Sequence, residues 1–488
     1  MNIKCLSSFH GLVRVRWKPV LIAAAMLPVV ALFFFLSIQE PVCIDDCNSY
    51  VILMGFAPWK MSYWQLLHHA FRGWTVPVFF SAFGQYSVAS AQWIVVAQAL
   101  LLLVSTTVFA LTVASRFASS QRWWISMTVI VTLAFQQGYL LFSSFLLSDS
   151  LAWTLVLFLL AIVLVSDRLL LRFGYFRFAA LYLIVGWMAT GARDANQQLL
   201  IILTAYLLVR WYTIFTGKQV ALLAAGVLCI CGVQAHYARS RYRFNMENVL
   251  VGRILPDPDA RRFFVRHGMP PALAELGHSL SLQPLEAVNI SVVEEERERF
   301  ERSGTRYLDA APKTYLLWLL THPGRVAQTL FADRAFIFTS DFLWLEESRL
   351  QLATVARRLE TGSETDKRSV PPFFAVRQEL LLLRPSVMER IPLLLRFALL
   401  LSLSAWAVWR NSRSFFKDVG GFALLVSIAG IVNACSGFIA DTWQLSEMER
   451  HAAIGNMLFN TGTLILLLWA VQEVATYRKW LGCSRVCS

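Results

Sequence analysis

The sequence predicts an all-α polytopic membrane protein of about ten transmembrane helices, with a mainly helical domain on its outer face. Three observations predict it. Hydrophobic residues make up 57% of 488 positions against 15% charged, and mean hydropathy is +0.54, more apolar surface than a soluble core of this length can hide. Apolar runs of bilayer length recur along the chain. Between them the basic residues collect on alternate connections, as they do where Lys and Arg are retained on the cytoplasmic side. The formal charge of +13 therefore reports membrane topology, and a nucleic-acid partner is not expected.

The first apolar run, 19–38, follows Arg14, Arg16 and Lys18 and ends in Gln39-Glu40-Pro41 without a small-residue cleavage site. It reads as an uncleaved span. Nine more follow at 92–115, 123–142, 151–166, 178–192, 197–215, 219–235, 391–409, 420–440 and 454–475. Both termini then lie in the cytoplasm. The inner segments hold the basic residues from Lys4 to Arg485, whereas the outer face, its long loop aside, holds only Lys60, Arg72, Arg193, Arg396 and Arg450. Acids sort the other way: Glu40, Asp45, Asp46, Asp149, Asp194, Asp441, Glu447 and Glu449 fall outside, and only Asp167, Asp418 and Glu473 inside.

The domain organisation follows. Residues 1–18 are a cytoplasmic N-terminus, 19–235 an N-terminal transmembrane module, 236–390 a periplasmic or extracellular domain, 391–475 a C-terminal transmembrane module and 476–488 a cytoplasmic tail. The first outer loop, 39–91, carries Trp59, Tyr63, Trp64 and Trp74 among aliphatic residues and reads as an interfacial segment. Within the long loop, Tyr315 to Leu320, ended by Thr321-His322-Pro323, is too short to span and reads as a half-buried helix lying on the membrane.

Four clusters carry candidate chemistry. Asp45 and Asp46, in Cys43-Ile44-Asp45-Asp46-Cys47, stand just outside the first span. Adjacent carboxylates there are costly to desolvate and repel each other, which suits a general base better than packing. The bland reading is a pair of interfacial carboxylates that ends the helix or pairs with Arg, and Cys43 and Cys47 are either a disulfide or two thiols. Asp149 opens the fourth span as a ligand or as an N-cap. Arg193, beside Asp194 between the fifth and sixth spans, suits bidentate phosphate contact or an ion pair with Asp194 or Asp45. Glu449, Arg450 and His451 enter the last span, where Arg and His could meet a diphosphate or headgroup, or simply form an amphipathic turn. No Walker-type loop, zinc spacing or serine elbow occurs.

A first span followed by an outer acidic pair, an amphipathic first loop, many further spans, a late outer domain and Glu449-Arg450-His451 resembles the GT-C superfamily of integral-membrane glycosyltransferases, in particular bacterial mannosyl- and arabinofuranosyltransferase-like members. The resemblance implies a bacterial inner-membrane enzyme with its active site on the outer face. It implies transfer of a sugar from a polyprenyl-phosphate-linked donor to a cell-envelope glycan, lipid or protein acceptor, in contact with membrane lipids. Asp45 or Asp46 would be the catalytic base in the first outer loop. Asp149, Arg193, Asp194, Glu449, Arg450 and His451 would bind substrate. A divalent cation, Mg or Mn, between Asp45, Asp46 and phosphate is left open. The alternatives are a transporter or flippase of a lipid-linked or anionic substrate, and an O-antigen-type polymerase or ligase.

Overall fold

The structure, a computed structural model, describes residues 74–83, 88–134, 148–237, 246, 249–271, 273–274, 307–308, 310–332, 338, 391–410, 419–440 and 445–486. Among these residues the chain is all-helical. The helices are α1 (Thr75–Ser81), α2 (Val88–Ala114), α3 (Arg122–Ala134), α4 (Ser148–Leu164), α5 (Ser166–Ala192), α6 (Asn196–Arg210) and α7 (Gly217–Tyr237). A π-helical turn, Leu250–Ile254, precedes α8 (Pro258–Arg266), α9 (Ala311–Thr321), α10 (Pro323–Ala332), α11 (Leu393–Arg410), α12 (Val419–Ala440) and α13 (Leu445–Val486).

Five of these helices are long and apolar enough to cross a membrane: Ser90–Ala114, Ser166–Ala192, Gly217–His236, Val419–Gly437 and Ala452–Ala475. Three apolar stretches are shorter, Arg122–Leu133, Ser148–Leu164 and Leu393–Trp406. The expected span at 19–38 lies outside the described residues, and so does the far end of the span at 123–142.

α4 shows how composition sets position. Its sequence after Ser148-Asp149-Ser150 is apolar on every side, and nearly every residue is buried. Such a helix belongs at the centre of a bundle, and α4 packs against α2, α5 and α6. By contrast α2 leaves Trp93, Leu100, Val104, Val108 and Leu111 exposed at helical spacing, the stripe expected of a helix that faces lipid. The expected connection between the fourth and fifth spans is itself helical. α5 begins at Ser166 and is interrupted at Gly174 (φ 74°, ψ 171°), a conformation glycine adopts without steric cost.

α12 and α13 pack together along their lengths. A Cβ on Gly430 would stand 2.6 Å from the Gly455 carbonyl oxygen, and one on Gly455 would stand 2.7 Å from Ala434 Cα. The two backbones therefore touch through small residues, as membrane helices do where there is no water to expel. α13 runs for 42 residues, about 63 Å at ~1.5 Å per residue, so it extends well beyond a bilayer core. The expected entry turn before residue 454 and the tail after 475 are both continuous with the spanning helix.

One end of the bundle is fastened by charge. Arg116, just past α2, pairs with Asp167 on α5 and donates to the Leu164 carbonyl at the end of α4. Arg168 donates to the Ser115 carbonyl at 3.2 Å. Trp211 Nε1 donates to Ser166 Oγ at 3.0 Å. The main hydrophobic core runs from this end through α2–α7 and α11–α13.

A second, smaller core gathers Leu250, Ile254, Phe264, Met269, Leu308, Ala311 and Tyr315, with Ile439 of α12 packed against it. Its helices are locally specified. Asp257 caps α8 by accepting from the Asp259 amide at 2.8 Å, and Pro258 occupies the first turn. α9 stops at Thr321, before Pro323 opens α10, as the sequence anticipates.

Candidate functional site

The turn between α5 and α6 sits at the opposite end of the bundle from Arg116. α5 ends because Arg193 is extended (φ −152°, ψ 127°). Asn196 opens α6 and turns its side chain back, Nδ2 donating to the Ala189 carbonyl at 2.9 Å. The same carbonyl accepts the Arg193 amide at 3.2 Å, so Asn196 adds a second bond to it and ties the start of α6 to the last turn of α5. Since α4 runs antiparallel to α5, its first turn lies beside this elbow, and Asp149 there forms an ion pair with Arg193. Asp149 is 1% exposed and the Arg193 side chain 11%. Two charges removed from water to this degree persist only because they are paired, and the N-terminus of α4 adds a favourable dipole for the carboxylate. Asp149 is thus inside the helix, and the ion pair that the sequence left open between Asp194 and Asp45 is found with Asp149. Among the described residues, Ser150 Oγ beside it and Asn196 Oδ1 are buried without a hydrogen-bond partner.

α1 braces the same elbow. Thr75 Oγ1 donates to the Met188 carbonyl at 2.9 Å, and the Trp74 and Trp187 rings lie 5.0 Å apart. Gly191 makes this approach possible. A Cβ there would come within 2.6 Å of Trp74 Cε2 and 2.5 Å of Thr75 Oγ1.

A polar layer continues from the elbow into α12. Asn433 Nδ2 donates to the Ala195 carbonyl at 3.0 Å, and Ser436 Oγ donates to Gln198 Oε1 at 2.5 Å. From α12 the layer reaches α13, because Gly455 is seated on Ala434. This register puts Glu449, Arg450 and His451, one to two turns before Gly455, on the elbow's side of the bundle. Their backbone is helical, and their side chains lie outside the described residues, as do Asp45, Asp46, Cys43 and Cys47. Asp194 lies half-buried in the elbow itself.

Two further arginines lie at this end. Arg396, which the sequence assigns to the outer face, is 1% exposed within the bundle. It donates to Asn460 Oδ1 and to the Phe338 carbonyl, each at 3.0 Å, and lies 5.8 Å from the Phe459 ring centre. Asn460 Nδ2 in turn reaches Asn456 Oδ1 at 3.4 Å. The second is Arg253, on the π-helical turn. Burial raises the pKa of the Tyr315 hydroxyl, and Arg253 beside it opposes part of that rise. Tyr315 donates to the Ile439 carbonyl at 3.0 Å, so the smaller core is tied to the end of α12. The signal that could have found the buried layer is the occurrence of Asn433, Ser436, Asn456 and Asn460 inside otherwise apolar spans.

The site is therefore a buried polar layer of guanidinium, carboxylate and amide groups crossing α4, α5, α6, α12 and α13 at one end of the bundle. Such groups can hold an anion or a polyhydroxylated ligand in fixed orientation. Among the described residues, no three His, Cys, Asp or Glu side chains gather to hold a metal ion. No family model, curated protein or solved structure matches the chain.

Proposed function

We propose that the protein is a membrane glycosyltransferase of the GT-C type, moving a sugar from a polyprenyl-phosphate donor to a cell-envelope acceptor on the outer face. The observation that carries this reading is the Asp149–Arg193 pair, buried within a polar layer at one end of an apolar bundle. A lipid-linked donor keeps its chain among the helices and its phosphate at headgroup depth, where Arg193, Arg450 and His451 would stabilise the leaving phosphate. Asp45 or Asp46 would take the proton from the acceptor hydroxyl as it attacks the anomeric carbon. One base and one displacement give inversion. Asp149, by fixing Arg193, orients the phosphate contact, and Asp194 and Glu449 stand at the same end for sugar hydroxyls. A divalent cation, if used, would bind at Asp45 and Asp46.

The competing reading is a flippase for a lipid-linked anion. Arg396, fully buried with Asn460 and Asn456, favours it, since buried polar groups between helices line substrate paths in transporters.

The test is transfer of radiolabelled sugar from a panel of polyprenyl-phosphate donors by purified protein in lipid, beside the Asp45→Asn/Asp46→Asn double variant. Aspartate-dependent transfer is the expected result. Movement of labelled lipid across the bilayer with no transfer from any donor would replace the enzyme by the flippase.

A further inference from the structure

The geometry points to a second function for the smaller core: α9 and α10 form a membrane anchor lying in the headgroup–acyl boundary, with lipid as the partner of their exposed face. α9 is apolar on both sides. Ala311, Thr314 and Tyr315 are buried in the smaller core, yet on the other side Leu316, Leu317 and Leu320 are 57%, 42% and 70% exposed. At 11 residues, about 16 Å at ~1.5 Å per residue, the helix cannot cross a bilayer, so this face must be covered in another way.

Three contacts say what covers it. Tyr315 fastens α9 to the Ile439 carbonyl, at the end of α12, a helix long and apolar enough to cross the membrane. Leu330 of α10 packs against the main core of the bundle. Phe338, a few residues on, sits in that core against Phe397 and Phe459. α9 is thus held against the end of α12 and α10 against the main core, so the exposed leucines of α9 stand beside helices long and apolar enough to cross the membrane. Lys313, exposed one turn before Leu317 on the same helical face, has the long stem that lets an ammonium reach headgroup phosphates while its methylenes stay in the apolar layer. Lipid, and not a second protein, is the occupant that this placement selects.

This inference stands apart from the transferase reading and is tested without any assay of transfer. A genetically encoded nitroxide is placed singly at 316, 317 and 320 of the full-length chain, and at 266, where Arg266 is exposed on α8. The variants are reconstituted in phosphatidylethanolamine–phosphatidylglycerol vesicles. Collision with oxygen, which partitions into lipid, is compared with collision with a water-soluble nickel chelate. The expected result is an oxygen-to-nickel ratio at 316, 317 and 320 several-fold above that at 266. Nickel access at those sites equal to that at 266 would overturn the proposal in favour of a water-facing surface. Exclusion of both reagents would overturn it in favour of a protein cover.

Discussion

At the scale of single residues, the Asp149–Arg193 pair is the contact on which the candidate site depends. Asp149→Asn leaves the guanidinium buried beside a neutral amide, and breaking a buried pair in this way costs about 3–5 kcal/mol. Asp149→Asn combined with Arg193→Gln should cost less than the sum of the two single changes, because the two groups interact directly. Unfolding midpoints of the four proteins in detergent check this, and additive costs would show that the two groups are not coupled. Gly191→Ala should displace α1, since the new methyl would collide with Trp74 and Thr75. Loss of the Trp74–Trp187 contact in the variant's structure is the expected outcome. The sequence supplied Asp149 and Arg193 as polar residues at span ends, but their partnership, 44 positions apart, depends on which helices lie side by side. Nothing in local spacing encodes that. Arg396 illustrates the converse. Its position at the start of a span marked it only as an outer-face charge, and the packing of α11 on α13 brings Asn460 within reach to make burial tolerable.

At the scale of elements, two interfaces carry predictions. Where α12 meets α13 the backbones leave no space for a side chain at Gly455, whose Cβ would meet both the Gly430 carbonyl and Ala434 Cα. Gly455→Ala should destabilise the pair by about 1–3 kcal/mol, the usual cost of overpacking, and lower the unfolding midpoint in detergent. An unchanged midpoint would mean the helices are not in backbone contact. In the smaller core, burial pushes the Tyr307 hydroxyl up to about 12 from its ordinary 10.0. Below pH 10 the phenol is neutral whether folded or unfolded, and its contribution is fully present. Between pH 10 and about 12 the unfolded form ionises first, so unfolding releases a proton and stability falls as pH rises. The smaller core should loosen across that window, and Tyr307→Phe should flatten the loss. Denaturation midpoints read against pH for both proteins decide it. These elements were readable to different degrees. The break at Thr321-His322-Pro323 is covalent chemistry and visible in the sequence. The helical continuation of α13 on both sides of its apolar stretch was not visible, because polarity marks where a helix leaves the membrane and says little about where it ends.

At the scale of the whole molecule, the helices impose a constraint on topology that needs no charge rule. α7 begins at Gly217, next after the end of α6 that lies with Arg116 and Asp167, and runs without interruption to Tyr237. The smaller core follows and is tied to the far end of α12 through Tyr315 and Ile439. α12 reaches the Asp149 end through Asn433 and Ser436. If α7 crosses the bilayer, as its length and composition allow, Lys218 and Arg266 must lie on opposite faces. The excess of basic residues on the connections that include Lys218 then predicts that residue inside and Arg266 outside. A bio-orthogonal handle at 218 or at 266, reacted with a membrane-impermeant reagent on intact cells, separates the cases. Position 266 should react at once and 218 only after permeabilisation. Reaction of both from the same side would remove α7 from the spanning helices. Reaction of 266 only after permeabilisation would separate the Asp149–Arg193 layer from the outer face, and the proposed encounter of lipid phosphate, acceptor and aspartate would lose the geometry it requires.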